Sequence, residues 1–262
     1  MSKKEKISGE EKFEAFYSSI YNDRWQDLKE ALLEKKESSI AIPNLKSPYY
    51  IDIASYETAK ILPVKQGMNV LDMCAAPGGK TLVIASALNG NGQLVSNDRS
   101  PDRRERLKKA VNDCLDEHLS SIIKVTGYDA SKWGVYEKEV YDAILLDAPC
   151  SSERHVMQSK NHLSIWSESR PKRLAIEQYA MLSSALLALK KGGFILYSTC
   201  SINPGENEEV IKKLQKKHSD EFIEVDFDLN NSEKKEFGRL ILPDRANGKG
   251  PMYACLLRKR DE

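Results

Sequence analysis

Short apolar runs alternate with helical patterns along most of the chain, and this alternation constrains the fold more than any other feature. The runs predict buried strands, and the stretches between them predict helices. Strands that alternate with helices form a mostly parallel sheet covered on both faces, so we predict an α/β fold. The predicted strands cover 68–75, 92–98, 121–129, 141–147, 193–200 and 253–259, and the predicted helices cover 78–88, 101–115, 174–189 and 206–218.

The front of the chain has a different pattern. Residues 1–47 are charged, and their apolar residues recur at helical intervals, which predicts two helices that cap the core. Pro43 and Pro48 interrupt the connector that follows and mark a boundary. We therefore predict a short helical N-terminal extension at 1–47 and one main domain at 48–262. A length of 262 residues suits one sizeable α/β domain with such an extension.

Several classes of protein are disfavoured by composition. No apolar run approaches the roughly 18 residues needed to cross a membrane. The start has neither the apolar stretch of a secretory signal nor the acid-poor composition of a transit peptide. We expect a protein without membrane association, in the cytoplasm or, after loss of a presequence, in an organellar matrix. The five cysteines lack a C-x-x-C pair, so we expect neither disulfides nor a metal site.

The segment "VLDMCAAPGGKT" at 70–81 has the form of a strand, a tight turn and a helix. Its small residues leave room for a ligand near the backbone, and the helix start offers unpaired N–H groups to a carboxylate or phosphate. The spacing matches neither a P-loop nor the dinucleotide fingerprint. The alternative interpretation is that this segment is a well-packed turn between a strand and a helix and binds no ligand. The candidate ligand-binding residues are Cys74, Ala75, Ala76, Pro77, Gly78, Gly79 and Lys80.

Acidic residues at the ends of the next two predicted strands extend this site. Asp98 ends the second strand, where α/β nucleoside-binding proteins hydrogen-bond a ribose. Asp129 ends the third strand, where it can meet the exocyclic amine of adenine. Together with a carboxylate near Lys80, this order along the sheet indicates S-adenosylmethionine.

The fourth and fifth predicted strands both lead into a cysteine followed by a serine, at Cys150-Ser151 and Cys200-Ser201. One interpretation is that both are core cysteines near strand ends, and the other is that they serve one chemical site. The polar stretch that follows, 151–171, breaks the strand and helix alternation, which is typical of a functional loop.

Four motifs, "DMCAAPGGKT", "DAPCSS", "YSTCS" and "NPGENEEVI", resemble the signatures of the Sun-type (RsmB-like) RNA cytosine-5 methyltransferases. "YNDRWQDLKEALL" and "SSERH" are most similar to the mitochondrial small-ribosomal-RNA branch of that family. The resemblance implies a class I S-adenosylmethionine-dependent methyltransferase, with a Rossmann-like, mostly parallel seven-stranded sheet and helices on both faces. In that fold the fourth and fifth strands are adjacent and parallel, so Cys150 and Cys200 can face one pocket.

The resemblance also implies the catalytic residues. Carbon 5 of cytosine is a poor nucleophile, and addition of a thiolate to carbon 6 activates it. The family pattern assigns this attack to Cys200 and the release of the product to Cys150. Asp147 would bind the cytosine ring as a protonated acid, and it is also counted among the cofactor-binding residues. Arg103 is spaced like the family arginine that contacts the cofactor; a surface arginine is the alternative.

The expected partner is RNA, with structured ribosomal RNA first and transfer RNA second. A net charge of +1 and the absence of an RNP pattern predict modest affinity for RNA alone, so a helper protein is expected to assist. The chain itself is expected to be a monomer. Where many relatives carry glycines, this chain has Ser152 and Glu153. Two other functions stay open: a non-catalytic RNA-binding assembly factor and a nicotinamide-dependent oxidoreductase. The residues expected to follow RNA phosphates are Arg154, Arg170, Lys172 and Arg173.

Overall fold

The computed structural model describes residues 7–34 and 38–261. The strands are β1 (Ser39–Ala41), β2 (Tyr50–Asp52), β3 (Asn69–Asp72), β4 (Gln93–Asn97), β5 (Ile123–Thr126), β6 (Tyr141–Asp147), β7 (Leu189–Thr199), β8 (Phe222–Val225), β9 (Ser232–Lys234), β10 (Arg239–Ile241) and β11 (Met252–Lys259). Every strand predicted from the apolar runs is present; β6 has the predicted ends, and the ends of the others differ by up to four residues.

The helices follow the predicted alternation as well. They are α1 (Gly9–Tyr21), α2 (Trp25–Leu33), α3 (Ile53–Ala59), α4 (Gly79–Leu88), α5 (Pro101–Cys114), α6 (Glu117–Ser120), α7 (Trp133–Tyr136), α8 (Glu153–Met157), α9 (Lys160–Ser164), α10 (Ser169–Ala188) and α11 (Glu208–His218). Within 7–34 and 38–261, no helix has the length and apolar character that a bilayer crossing requires.

The main sheet has the strand order β5-β4-β3-β6-β7-β11-β10-β9, and β8 also pairs with β11. Strands β5, β4, β3, β6 and β7 are parallel to one another. Strand β11 runs antiparallel to β7, β8 and β10. This is the predicted α/β class, with a hairpin of β9 and β10 added to the mostly parallel sheet. The chain order reverses direction between β3 and β6, and ligands bind such sheets at the carboxyl ends of the strands there.

Two hydrophobic cores lie on opposite faces of the sheet, because successive side chains of a strand point to opposite sides. On β6, Ile144 and Leu146 belong to one core, and Ala143 and Leu145 belong to the other. Helix α10 covers the first core, and helix α4 covers the second. Both faces are therefore covered, as the alternation predicted.

The N-terminal helices pack against the first of these cores. A capping box between Ser8 and Glu11 begins α1. An aromatic cluster of Phe13, Tyr17, Trp25 and Trp166 joins α1 and α2 to the segment after β6, with ring centroids 4.6 to 6.1 Å apart. Residues 1–6 and 35–37 of the predicted extension lie outside the described residues. The boundary predicted at residue 47 falls between β1 and β2, which pair with each other.

The segment 151–171 is not the irregular loop that its polar sequence suggested. It contains α8, α9 and the start of α10. Val156 and Trp166 of this segment are buried against the N-terminal helices. The apolar partners are distant in sequence, so the local pattern did not reveal the helices.

Candidate active site

The carboxyl ends of β6 and β7 bring Cys150 and Cys200 to one place. The two strands are adjacent and parallel, with Asp147 opposite Ser198. The two Sγ atoms lie 3.1 Å apart although the residues are 50 positions apart in sequence. A disulfide would require about 2.05 Å, so both are free thiols, and both are half-buried. The interpretation of two unrelated core cysteines is therefore excluded.

The two thiols differ in their affinity for a proton. The Cys150 thiol at 3.1 Å and the Ser152 hydroxyl at 3.2 Å can both donate to the Cys200 sulfur. The hydrogen bond from Cys150, helped by that from Ser152, lowers the pKa of Cys200 even though burial opposes the charge. The same hydrogen bond, together with burial, raises the pKa of Cys150. Cys200 is therefore the better nucleophile, and Cys150 keeps its proton.

Asp147 is held between two donors. Lys80 Nζ lies 2.7 Å from Oδ2, and the Ser198 hydroxyl donates to Oδ1 at 2.7 Å. Burial lowers the pKa of the Lys80 ammonium, but the Asp147 carboxylate outweighs burial and the net pKa is raised. The structure thus adds a contact that was not expected, an ion pair between Lys80 and Asp147.

A small cavity of about 210 Å³ opens beside this ion pair, and Tyr49, Asp72, Lys80 and Asp147 contribute to its wall. Asp72 is fully buried. One of its oxygens accepts the Thr81 hydroxyl at 2.7 Å, and the other has no hydrogen-bond partner. Burial raises the pKa of Asp72 to about 7. A free carboxylate oxygen in the wall gives a ligand in this cavity an acceptor.

A large cavity of about 700 Å³ follows the carboxyl ends of β3, β4 and β5, and Asp98, Arg103 and Asp129 line it. Asp98 is 5% exposed. One of its oxygens accepts the Ser100 N–H at 2.9 Å, and the other has no hydrogen-bond partner. Arg103 lies 3.4 Å from that oxygen and donates to the Ala76 carbonyl at 2.6 Å. The unsatisfied oxygen suits the hydroxyls of a ribose.

Asp129 supplies the second acid of the large cavity. One of its oxygens accepts the hydroxyl of Ser131 at 2.7 Å and the backbone N–H of Ser131 at 3.1 Å. These hydrogen bonds lower the pKa of Asp129. A volume of about 700 Å³ lies within the range of small-molecule sites. The cavity is therefore large enough for S-adenosylmethionine, and it has Asp98 and Asp129 in its wall.

Sequence reasoning did not assign a role to Asn97, which organises this cavity. Its buried amide donates to the carbonyls of Met73 and Tyr128, both at 3.0 Å. Its oxygen accepts the Tyr128 N–H at 2.7 Å and the Thr126 hydroxyl at 3.0 Å. Asn97 thereby ties the ends of β3, β4 and β5 together and fixes the position of Asp98. The one feature of the sequence that could have indicated this role is the position of Asn97 at a strand end, directly before Asp98.

The turn between β3 and α4 borders the cavities, but its glycines serve packing. A Cβ on Gly78, whose φ is +121°, would lie 3.0 Å from Ala110 Cβ. A Cβ on Gly79 would lie 3.0 Å from the end of Ile51. The space beside the α-carbons of Gly78 and Gly79 is therefore filled by protein. Cys74 lines both cavities, and the small cavity is also lined by Ala75, Ala76, Pro77 and Gly79.

Two fully buried glutamates, Glu153 and Glu206, lie behind the cysteine loops. Glu206 accepts the N–H of Ser151 at 2.9 Å, and Glu153 accepts the N–H of Ile202 at 3.1 Å. The Ser201 hydroxyl lies between them, 2.9 Å from Glu153 and 3.2 Å from Glu206. This glutamate pair therefore holds the residues that follow both cysteines, and no sequence pattern joined the two glutamates.

The glutamate pair also contacts α1 and α10. Glu153 accepts the Tyr17 hydroxyl at 2.5 Å, and Glu206 accepts the Gln178 amide at 2.9 Å. Burial, and then the nearby Glu206, raise the pKa of Glu153 to about 7. Burial likewise raises the pKa of Glu206. Helix α1 is thus hydrogen-bonded directly to the glutamate pair that holds the two cysteine loops.

Arg154 does not follow RNA phosphates as predicted. Its half-buried guanidinium donates to the carbonyls of Ala31 at 3.3 Å and Gly248 at 3.1 Å, and it thereby ties α2 to the loop before β11. Lys172 and Arg173 lie on the exposed start of α10 near acids one turn away.

A mostly parallel sheet with antiparallel strands at one edge, an acid after β4 over a nucleoside-sized cavity, and two adjacent thiols after β6 and β7 define a class I S-adenosylmethionine-dependent methyltransferase. Within that class the chain belongs to the family described as "16S rRNA methyltransferase RsmB/F", whose profile matches residues 59–258. The family and the fold class predicted from the motifs are confirmed.

Named relatives share this part of the sequence. "5-cytosine rRNA methyltransferase NSUN4" of Mus musculus is 33% identical over 230 residues, with 80% of this chain and 60% of that protein covered. "tRNA (cytosine(34)-C(5))-methyltransferase, mitochondrial" of Danio rerio is 32% identical over 227 residues, with 82% and 61% covered. The chain thus spans about three fifths of the length of these relatives.

A solved structure has the same fold. The crystal structure of NSun6 from Pyrococcus horikoshii with SFG superposes with a TM-score of 0.68 at 25% sequence identity. The match covers 82% of this chain and 54% of that one.

Proposed function

We propose that this protein transfers a methyl group from S-adenosylmethionine to carbon 5 of a cytosine in RNA, through a covalent adduct with Cys200. The observation that carries the proposal is the pair of thiols, 3.1 Å apart, at the strand ends where Asp147 also lies. Asp147 pairs with Ser198, two residues before Cys200, so both groups lie at the same edge of the sheet, where one base could meet them. The relatives named as cytosine-5 methyltransferases support the same reaction.

In the attack step, the Cys200 thiolate adds to carbon 6 of a cytosine that has left its stack. The electron pair of the C5=C6 bond moves into the ring, which makes carbon 5 nucleophilic. Lys80 offers an ammonium to the negative charge on the ring, and Asp147 can accept a hydrogen bond from the exocyclic amine. S-Adenosylmethionine, when bound, supplies the electrophilic methyl group for carbon 5.

In the release step, a base removes the proton on carbon 5, and that C–H electron pair re-forms the double bond. The C6–S bond breaks and returns its electron pair to Cys200. The Cys150 thiol lies 3.1 Å away and donates a hydrogen bond to the departing sulfur. Because the pKa of Cys150 is raised, it keeps the proton that this task requires. Attack and release then fall to different cysteines.

We propose structured ribosomal RNA as the first substrate and transfer RNA as the second. The description of the family and the name of the mouse relative support ribosomal RNA, and the zebrafish relative supports transfer RNA. A net charge of +1 gives little general attraction to RNA, which favours a folded RNA recognised with a helper protein.

The test is transfer of a radiolabelled methyl group to ribosomal RNA and transfer RNA transcripts, followed by bisulfite mapping of the modified base. Cys200→Ala should abolish transfer, and the control Cys114→Ala, which changes a buried cysteine of α5, should retain it. If the wild-type protein binds S-adenosylmethionine but methylates no cytosine in either RNA, the assembly-factor alternative replaces this proposal.

A further inference from the structure

Ser152 has a backbone conformation that serine rarely adopts. Its φ is +53° and its ψ is +60°, in the left-handed region. Seven non-glycine residues in the described parts of the chain have positive φ, and five of them are asparagines, the residue type that tolerates this region best. Ser152 is also the one of these seven that contacts the sulfurs. A strained residue in contact with reacting atoms points to a function for its side chain.

The left-handed backbone gives the Ser152 hydroxyl its position. The Oγ atom lies 3.2 Å from Cys200 Sγ and 3.6 Å from Cys150 Sγ. These distances are within the range of hydrogen bonds to sulfur, which is a larger atom than oxygen or nitrogen. The hydroxyl therefore lies against both thiols, on the loop that carries Cys150.

The neighbours of Ser152 maintain this conformation. The N–H of Ser151 is bonded to the buried Glu206, and the side chain of Glu153 is bonded to Tyr17, Ser201 and Ile202. The Ser152 carbonyl accepts the N–H of Val156 at 3.0 Å as α8 begins. Because both flanking residues are anchored in the interior, the chain between them has little freedom to relax.

We propose that Ser152 is a catalytic residue whose hydroxyl donates a hydrogen bond to the thiolate of Cys200. The inference rests on the proposed function, because it assigns a role in the attack by that sulfur. A hydroxyl has one proton, and donation to Cys200 uses it. Together with the Cys150 thiol it gives the anion two donors in a half-buried place where water is scarce. No bond to Ser152 forms or breaks.

The test compares Ser152→Gly and Ser152→Ala with the wild-type protein. Glycine removes the hydroxyl and the strain, and alanine removes the hydroxyl alone. The control is Asn89→Gly, which removes the side chain of a residue with a left-handed backbone conformation (φ +48°) at the end of α4. Asn89 is far in sequence from Cys150 and Cys200. The readout is the rate at which iodoacetamide alkylates Cys200 as a function of pH, without RNA or cofactor, with the site identified by mass spectrometry.

Both Ser152 variants should alkylate Cys200 about tenfold more slowly at pH 7, as expected for the loss of one hydrogen bond to a charged group. Their alkylation midpoint should move to higher pH, while the Asn89→Gly curve matches the wild type. The urea midpoint of Ser152→Gly should equal or exceed that of the wild type. A glycine variant that reacts like the wild type at every pH would overturn the inference, and so would one that loses stability together with reactivity.

Methyl transfer separates this inference from the proposed function. If the wild-type protein methylates RNA and the Ser152 variants do so equally well at pH 7, the role of Ser152 is refuted and the function stands. If the wild-type protein transfers no methyl group but the alkylation curves differ as expected, the function is refuted and the hydrogen bond to Cys200 stands.

Discussion

Glu206→Gln and Glu206→Ala separate the charge of the buried glutamate pair from its hydrogen bonds. One oxygen of Glu206 accepts both the Ser151 N–H and the Gln178 amide, each at 2.9 Å. A glutamine keeps an oxygen in that position and turns its amino group toward the Ser201 hydroxyl. An alanine leaves the Ser151 N–H and one N–H of the Gln178 amide without an acceptor, whereas the Gln178 amide keeps its bond to the Pro149 carbonyl at 2.8 Å. The two variants should therefore differ strongly in the free energy of unfolding.

The expected magnitudes follow from these contacts. An unsatisfied buried donor costs about 1–3 kcal/mol, so the alanine variant should lose about 2–6 kcal/mol of stability at neutral pH. The glutamine variant should remain within about 1 kcal/mol of the wild type, because its lost charge–dipole interactions are offset by relief of the repulsion from Glu153.

The glutamate pair also predicts how stability changes with pH. Burial raises the pKa of Glu153 from 4.5 to about 7, so the folded state binds a proton that the unfolded state has already released. Stability contributed by this group is therefore complete below pH 4.5 and is lost as the pH rises toward 7. The loss amounts to ~3 kcal/mol at ~1.4 kcal/mol for each tenfold change in proton affinity. Glu206→Gln removes one of the two carboxyls and should reduce this decline.

Urea denaturation at pH 5 and pH 8 measures both effects. The free energy of unfolding of Glu206→Gln relative to the wild type should rise by about 1 kcal/mol or more between the two pH values. The reasoning is refuted if the glutamine variant is as unstable as the alanine variant at both values. It is also refuted if the glutamine variant loses more stability than the wild type between pH 5 and pH 8.

Three further substitutions test other parts of the site. Tyr17→Phe removes a buried hydrogen bond to the carboxylate of Glu153 and should cost about 2 kcal/mol in urea denaturation; a cost below about 0.5 kcal/mol would contradict the role given to the N-terminal helix. Asp98→Ala should weaken S-adenosylmethionine binding about 30-fold in calorimetry, equivalent to ~2 kcal/mol, whereas the more exposed Asp129→Ala should weaken it less; equal losses would refute the assignment of the ribose. Lys80→Met leaves its carboxylate partner uncompensated and should lower kcat at least about tenfold with a smaller effect on KM; single-turnover methyl transfer measures this, and a change confined to KM would contradict it.

The sheet and the location of the site could be predicted from the sequence because both depend on local patterns. The run at 141–147 was predicted as a strand and forms β6 with the same ends. The order of strand ends along a parallel sheet then placed Asp98 and Asp129 over one cavity. The adjacency of Cys150 and Cys200 followed from the fold that the family resemblance implied.

Other features depend on contacts between distant residues, and the sequence did not reveal them. Lys80 and Asp147 are 67 positions apart, and no local pattern predicted their ion pair. Trp166, between α9 and α10, packs against aromatic residues of α1 that lie about 150 positions away in sequence. The hydroxyl of Ser152 reaches the sulfurs through an unusual backbone conformation, which no local pattern of polar residues specifies.

The covalent adduct is the most direct test of the account. Cys150→Ala protein should be incubated with S-adenosylmethionine and the methyl-accepting RNA, digested, and examined by mass spectrometry for a cysteine that carries a nucleotide. The account predicts a methylated cytosine on Cys200 in this variant, and no adduct in Cys200→Ala. An adduct on another residue, or methylation that persists without Cys200, would contradict it.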